Sequence, residues 1–92
     1  MEISYRFEYL EEVVKNDIPK IPKNIGNIIK RAIEERLGVD PFSFGKPLRY
    51  SWQGHKSLRV GDYRIIYRIK EEEKVVLIVA IKHRKDAYVI NH

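Results

Sequence analysis

Apolar and polar positions alternate most clearly over residues 48–70, L-R-Y-S-W-Q-G-H-K-S-L-R-V-G-D-Y-R-I-I-Y-R-I-K. Two alternating runs flank Gly61-Asp62, a pair that predicts a two-residue type II′ hairpin, because glycine accepts φ > 0 at the first turn position. Leu58 and Val60 share one face of the first strand, with Ser57 and Arg59 on the other. After the turn, Tyr63, Ile65, Tyr67 and Ile69 alternate with Arg64, Ile66, Arg68 and Lys70. One face of the hairpin is therefore apolar and aromatic, and the other carries cations.

The rest of the chain supplies a frame for this hairpin. Residues 3–7 alternate and predict a short strand, with Ile3, Tyr5 and Phe7 on one side. Leu10, Val13 and Val14 follow helical spacing, so residues 8–16 predict a short amphipathic helix broken by Pro19 and Pro22. Ile25, Ile28, Ile29, Ala32, Ile33 and Leu37 keep the 3.6-residue period of a second helix. Pro22 suits its start and Gly38 its end. Residues 40–47, with two prolines and Gly45, read as a loop. Residues 75–81, V-V-L-I-V-A-I, form an unbroken apolar run expected to be a strand covered on both faces. Residues 82–92 are a charged exit from it. The predicted fold class is α+β: one two-layer domain over residues 1–92, β-α-α-β-β-β, with a helical hairpin on one face of a small, mainly antiparallel sheet. Arg59, Arg64, His83, Arg84 and Tyr88 are then expected to converge on the opposite, partly open face.

Charge sharpens the picture. The chain of 92 residues carries a net charge of +5. Residues 1–40 hold seven Lys/Arg and eight Asp/Glu, whereas residues 41–70 hold seven Lys/Arg against Asp62 alone. This segregation is the footprint of a surface that binds a polyanion. Cysteine is absent, which excludes disulfides and thiol chemistry. With no secretory signal pattern and no apolar run long enough to span a membrane, a cytoplasmic protein is expected. No His/Asp/Glu cluster at metal-ligand spacing occurs, and no cofactor is expected.

These features resemble the RelE/ParE toxin superfamily of type II toxin–antitoxin systems. The carrying residues are G-K-P-L at 45–48, L-R-V-G-D-Y-R-I-I-Y-R-I at 58–69 and K-H-R-K-D-A-Y at 82–88. The resemblance covers essentially the whole chain and its element order. It implies one of two activities: messenger RNA cleavage in the ribosomal A site, as in RelE-like members, or inhibition of DNA gyrase, as in ParE-like members. The arginines and closing tyrosine favour the first. A toxin remnant that only binds its antitoxin is a third reading. The resemblance also implies an acidic, DNA-binding antitoxin partner. The toxin alone is expected to be a monomer and the antitoxin complex hetero-oligomeric.

Arg64, Arg84 and Tyr88 match the family's two arginines and C-terminal tyrosine, while His55 and Ser57 fall where the prototype carries lysines, with Lys56 between them. Arginine holds phosphate oxygens bidentately, and histidine exchanges protons near neutrality. The candidate catalytic set is thus Arg64, Arg84, Tyr88, His83 and Lys56, without a metal. Arg59, His55, Arg68, Arg49 and Trp52 are candidate RNA contacts, Trp52 by stacking. Each has a plainer alternative: arginines on a solvated sheet face, His55 in a surface loop, His83 capping a strand end, Trp52 packed beneath a loop.

Overall fold

A computed structural model describes residues 5–85 of the chain. Its centre is a five-stranded sheet of order β1-β5-β4-β3-β2, comprising β1 (Arg6–Tyr9), β2 (Lys46–Pro47), β3 (Lys56–Val60), β4 (Tyr63–Lys70) and β5 (Val75–His83). Strand β1 runs parallel to β5, and every other pairing is antiparallel. Helix α1 (Lys23–Ala32), the wide helical turn Ile33–Leu37 and the short α2 (Pro41–Phe44) complete the helical layer with the earlier turns Val13–Asp17 and Ile18–Lys20.

The apolar alternation places the core where expected. Leu58, Ile65, Tyr67, Val76, Ile78 and Ile81 meet Val13, Ile29, Ile33 and Leu37 from the helical layer. All are nearly or wholly removed from water. Burying a large aliphatic side chain contributes about 1.5–3 kcal/mol, so this cluster contributes strongly to folding, together with Ile66 and Val75 buried on the opposite face. Gly61 adopts φ +58°, the left-handed value that the expected II′ turn requires. The run at residues 75–81 is an interior strand between β1 and β4, as its continuous hydrophobicity implies.

Several boundaries differ from the sequence reading. The described N-terminal strand continues through Glu8 and Tyr9, where the apolar spacing predicts the start of a helix, because both lie in register with β5. The following helical turn ends at Asp17 with a wide hydrogen bond from the Ile18 N–H to the Val13 carbonyl. Pro19 does not stop it outright but sits in the next 3-10 turn, where a missing N–H costs little. The expected loop at 40–47 holds two elements. Asp40 caps α2, its carboxylate accepting from the Ser43 N–H at 3.2 Å and the Ser43 hydroxyl at 2.5 Å. Those hydrogen bonds, that from the hydroxyl first, hold the Asp40 carboxyl below its usual range. Lys46 and Pro47 then form the edge strand β2, where a residue without an N–H is tolerated.

One close approach locks this segment to the core. Gly45 lies against the Tyr67 ring, and a Cβ there would overlap the Tyr67 hydroxyl. That hydroxyl donates to the Pro41 carbonyl at 2.7 Å. Burial pushes the Tyr67 phenol up to about 12.

Candidate nucleic-acid interface

The residues that alternate with the core point to the sheet face opposite the helices. In register, Arg59 stands directly across from Arg64, and Arg64 across from Lys82. Three cations therefore cross β3, β4 and β5 in one row. Like charges placed opposite each other on a sheet repel, so this row is unfavourable for folding alone. Arg59 is exposed and its Nε makes only a 3.4 Å contact with the Gly61 carbonyl. Arg64 is half-buried and forms no ion pair or side-chain hydrogen bond with any described residue. Arg68 is exposed farther along β4, level with Leu77.

Lys82 is held from behind. The Asp17 carboxylate is only 7 % exposed. One of its oxygens accepts from the Lys82 Nζ at 2.8 Å, and the other from the Ile81 N–H at 3.0 Å. Both charges of this pair are thereby satisfied, and Asp17 also covers part of the β5 edge where β1 has ended. Arg84 follows one ladder step past the strand, its N–H donating to the Asp62 carbonyl at 2.7 Å. Its guanidinium lies 3.8 Å from the Asp62 carboxylate, with both side chains well exposed. Such an exposed contact is weak and readily exchanged for a phosphate.

At the far end of β3 the alternation continues to Ser57, and His55 lies just before the strand. The His55 and Trp52 rings meet edge to face with centroids 5.3 Å apart. His55 Nδ1 is buried and has no hydrogen-bond partner among the described residues. Buried polar atoms are normally paired, so an orphan beside a cationic surface marks this ring as a candidate for chemistry. Trp52 ends the turn Tyr50–Trp52 and lies over the open face, lining a groove with Val79, Ala80 and Lys82. Val79 is the extra residue of a β-bulge, skipped between the pairs Ile66–Ala80 and Tyr67–Ile78.

Comparison with known proteins places this architecture. Residues 9–88 match the family model described as ParE toxin of type II toxin–antitoxin system, parDE. The chain belongs to the ParE toxin family. Among curated proteins, it is 36 % identical to Toxin RelG of Mycobacterium tuberculosis over 74 residues, spanning 80 % of this chain and 85 % of that one. It is 33 % identical to Toxin RelE of the same organism over 75 residues, spanning 82 % of this chain and 77 % of the relative. Among solved structures, the toxin–antitoxin complex RelBE2 from M. tuberculosis superposes with TM-score 0.82 at 31 % identity, covering 94 % of this chain and 98 % of that chain. The protein is thus a RelE/ParE-superfamily toxin with the RelE-like α+β fold.

Within this toxin the expected site residues divide between two faces. Arg59, Arg64, Arg68 and Trp52 share the open face, with Arg84 at its end and the His55 ring packed edge to face on Trp52. Lys56 does not join them. It is opposite Tyr67 on the helix side, and its Nζ donates to the Phe42 carbonyl at 2.6 Å. His83 is also on the helix side, paired with Tyr63, whose ring meets it edge to face at 5.1 Å. There it lines a cleft of about 420 Å³ with Ile25, Ile28 and Val60, and its Nδ1 accepts from the Lys85 N–H at 3.2 Å. The anticipated meeting of His83 with Arg59 and Arg64 does not occur, because odd and even positions of β5 face opposite ways. Arg49 is exposed at the entry to the Tyr50–Trp52 turn, and Tyr88 lies outside the described residues. Lys82 and Asp17 were missed. Lys82 was legible as the partner of Arg64 once hairpin and strand were aligned, whereas Asp17 reaches it across 65 residues and left no local signal.

Proposed function

We propose that this toxin is a ribosome-dependent messenger RNA endonuclease whose open sheet face grips the sugar–phosphate chain. The observation that carries the reading is Arg64, fixed between Arg59 and Lys82 on a rigid sheet with no acidic partner among the described residues. The kinship with proteins named RelG and RelE supports it. In the reaction, the 2′-oxygen attacks the adjacent phosphorus, the P–O5′ bond breaks, and the 2′-hydroxyl proton is taken up by a base while the leaving 5′-oxygen gains one. Arg64 and Arg84 stabilise the charge that grows on the non-bridging oxygens. His55, whose ring packs edge to face on Trp52 at the border of that face, is the group proposed to exchange a proton. Lys56 and His83, on the other face, act through the fold in this reading. The step uses side chains alone.

The partner is an antitoxin of acidic character that covers the cationic face. Crystallised relatives are described as toxin–antitoxin complexes, and the charge of this chain, +5, complements such a partner. Expression with mapping of RNA 5′ ends in translating lysate tests the proposal. New ends within messages, absent for Arg64→Ala, are expected. The matched family model carries the ParE name, which keeps gyrase inhibition as the second reading. Intact messages together with blocked supercoiling by purified gyrase would establish that reading instead.

A further inference from the structure

The helical layer leaves a groove of about 660 Å³ between two arms, the first holding the turn Val13–Asp17 and the second being α1. Val14 and Ile18 line one side, Ile29 and Ile33 the other, and Tyr9 and Ile81 belong to the sheet below. Leu10, Val14 and Ile18 recur every fourth residue and stay 39 %, 51 % and 40 % exposed. They form an apolar ridge along the first arm, the kind of contiguous patch that marks a protein contact. Gly26 sits on the α1 side of the groove. A Cβ there would meet only the Ile21 Cγ2, at 3.9 Å, so nothing among the described residues requires a glycine. Glycine in a helix interior is unfavourable relative to alanine. Its missing side chain leaves α1 open to a close approach from outside.

Charge separates the two arms. Residues 8–17 hold four Asp/Glu against Lys15, whereas residues 18–31 hold four Lys/Arg and no acid. Lys23 and Lys30 flank Gly26 on the groove and form no ion pair with a described residue. Glu11 pairs with Lys15 on its own arm, Glu8 with Lys70 and Asp17 with Lys82, so no ion pair among the described residues crosses the groove. We propose that this surface joins two copies of the chain, making the toxin alone a two-fold dimer rather than the expected monomer. A two-fold axis sets one patch against its own copy, so a patch with an acidic half and a basic half complements itself. The ridge and acids of each first arm then meet the groove and lysines of the other copy's α1. The Glu11–Lys15 contact is exposed and weak, and exchanges readily for a lysine across the interface. Two acidic arms side by side would repel, which fixes the pairing of first arm with α1. Because each copy supplies both ridge and groove, the apolar contact is made twice. The cationic face, on the other side of the sheet, stays open.

Sedimentation of the full-length chain over a range of concentrations tests the proposal. We expect a monomer at about 1 µM and a dimer at about 200 µM, as suits an interface at the small end of the stable range. Gly26→Gln, which places a bulky helix former in the groove, should weaken dimerisation at least about tenfold, as overpacking does. Its urea midpoint should equal or exceed that of the parent, because a glycine has left the helix. Charge reversal supplies a second, independent reading. One variant carries Lys23→Glu and Lys30→Glu, the other Glu11→Lys and Glu12→Lys. Each alone should stay monomeric, and an equal mixture of the two should dimerise, since mixing restores opposite charges in both halves of the interface. A parent chain that is monomeric at every concentration overturns the proposal. So does a dimer that Gly26→Gln leaves intact, or a pair of charge-reversed variants that stays monomeric on mixing. Should Gly26→Gln lower the urea midpoint, the mixing experiment decides alone, because dimerisation of the mixture shows that both variants are folded. No reading here uses RNA, so the dimer stands or falls apart from the proposed nuclease.

Discussion

The two faces of the sheet are built from the same strands, β3, β4 and β5, yet obey different rules. On the helix side, polar groups are matched: the Tyr67 hydroxyl finds the Pro41 carbonyl, and Lys56 finds the Phe42 carbonyl. Leu58, Ile65, Tyr67, Ile78 and Ile81 there are close to fully buried. On the other side, Arg59 faces Arg64, Arg64 faces Lys82, and Asp17, the only buried acid among the described residues, is committed to Lys82 and the strand edge. A chain selected for stability alone would not oppose these charges. When one face of a sheet satisfies local rules and the other breaks them, the broken rules mark the working surface.

That contrast can be broken deliberately. The largest effect belongs to Arg64→Ala, which should lower RNA cleavage by about 10²–10³-fold, as loss of one transition-state charge donor does. The same change should alter unfolding free energy by no more than about 0.5 kcal/mol, read by denaturant titration. On the helix side the sign reverses. Gly45→Ala drives a Cβ into the Tyr67 hydroxyl and should destabilise by about 1–3 kcal/mol, seen as a lowered urea midpoint. Asp17→Asn crosses the two faces, for it weakens the hold on Lys82 while keeping a side chain able to accept from the Ile81 N–H. It should cost about 1–2 kcal/mol of stability and also reduce RNA affinity, measured separately by thermal melt and filter binding.

A smaller effect concerns pH. The Tyr67 phenol is raised to about 12 from the ordinary 10, so the folded state keeps its proton where the unfolded chain loses it. The unfolded state then binds fewer protons, and stability must fall as pH rises from about 10 to 12. Tyr67→Phe should flatten the stability–pH curve in that window, measured by urea midpoints at each pH. A curve as steep as that of the parent chain would show that other groups cause the alkaline loss.

Much of this division was legible in the residues. The period-2 pattern of 56–70 separates Leu58, Val60 and Tyr67 from Arg59 and Arg64. It also puts Lys56 with the apolar set, a parity that family likeness had obscured. His83 shares parity with the buried Ile81, which places it on the helix side. The D-P-F-S sequence at 40–43 carried a cap signal, an acid three residues before Ser43, inside what reads as a loop. The bulge at Val79 was not legible, because an extra residue in an all-apolar strand leaves no change of pattern. Nor was the Asp17–Lys82 pair, since it depends on where the first helical turn settles against β5.

The most direct measurement compares the two faces in one assay: cleavage rates of Arg64→Ala and Lys56→Ala on the same translating message. We expect Arg64→Ala to lose at least about a hundredfold and Lys56→Ala to stay within about threefold of the parent, its loss confined to stability. Equal losses from both, a larger loss from Lys56→Ala, or no cleavage by the parent chain would contradict a working surface on the open face.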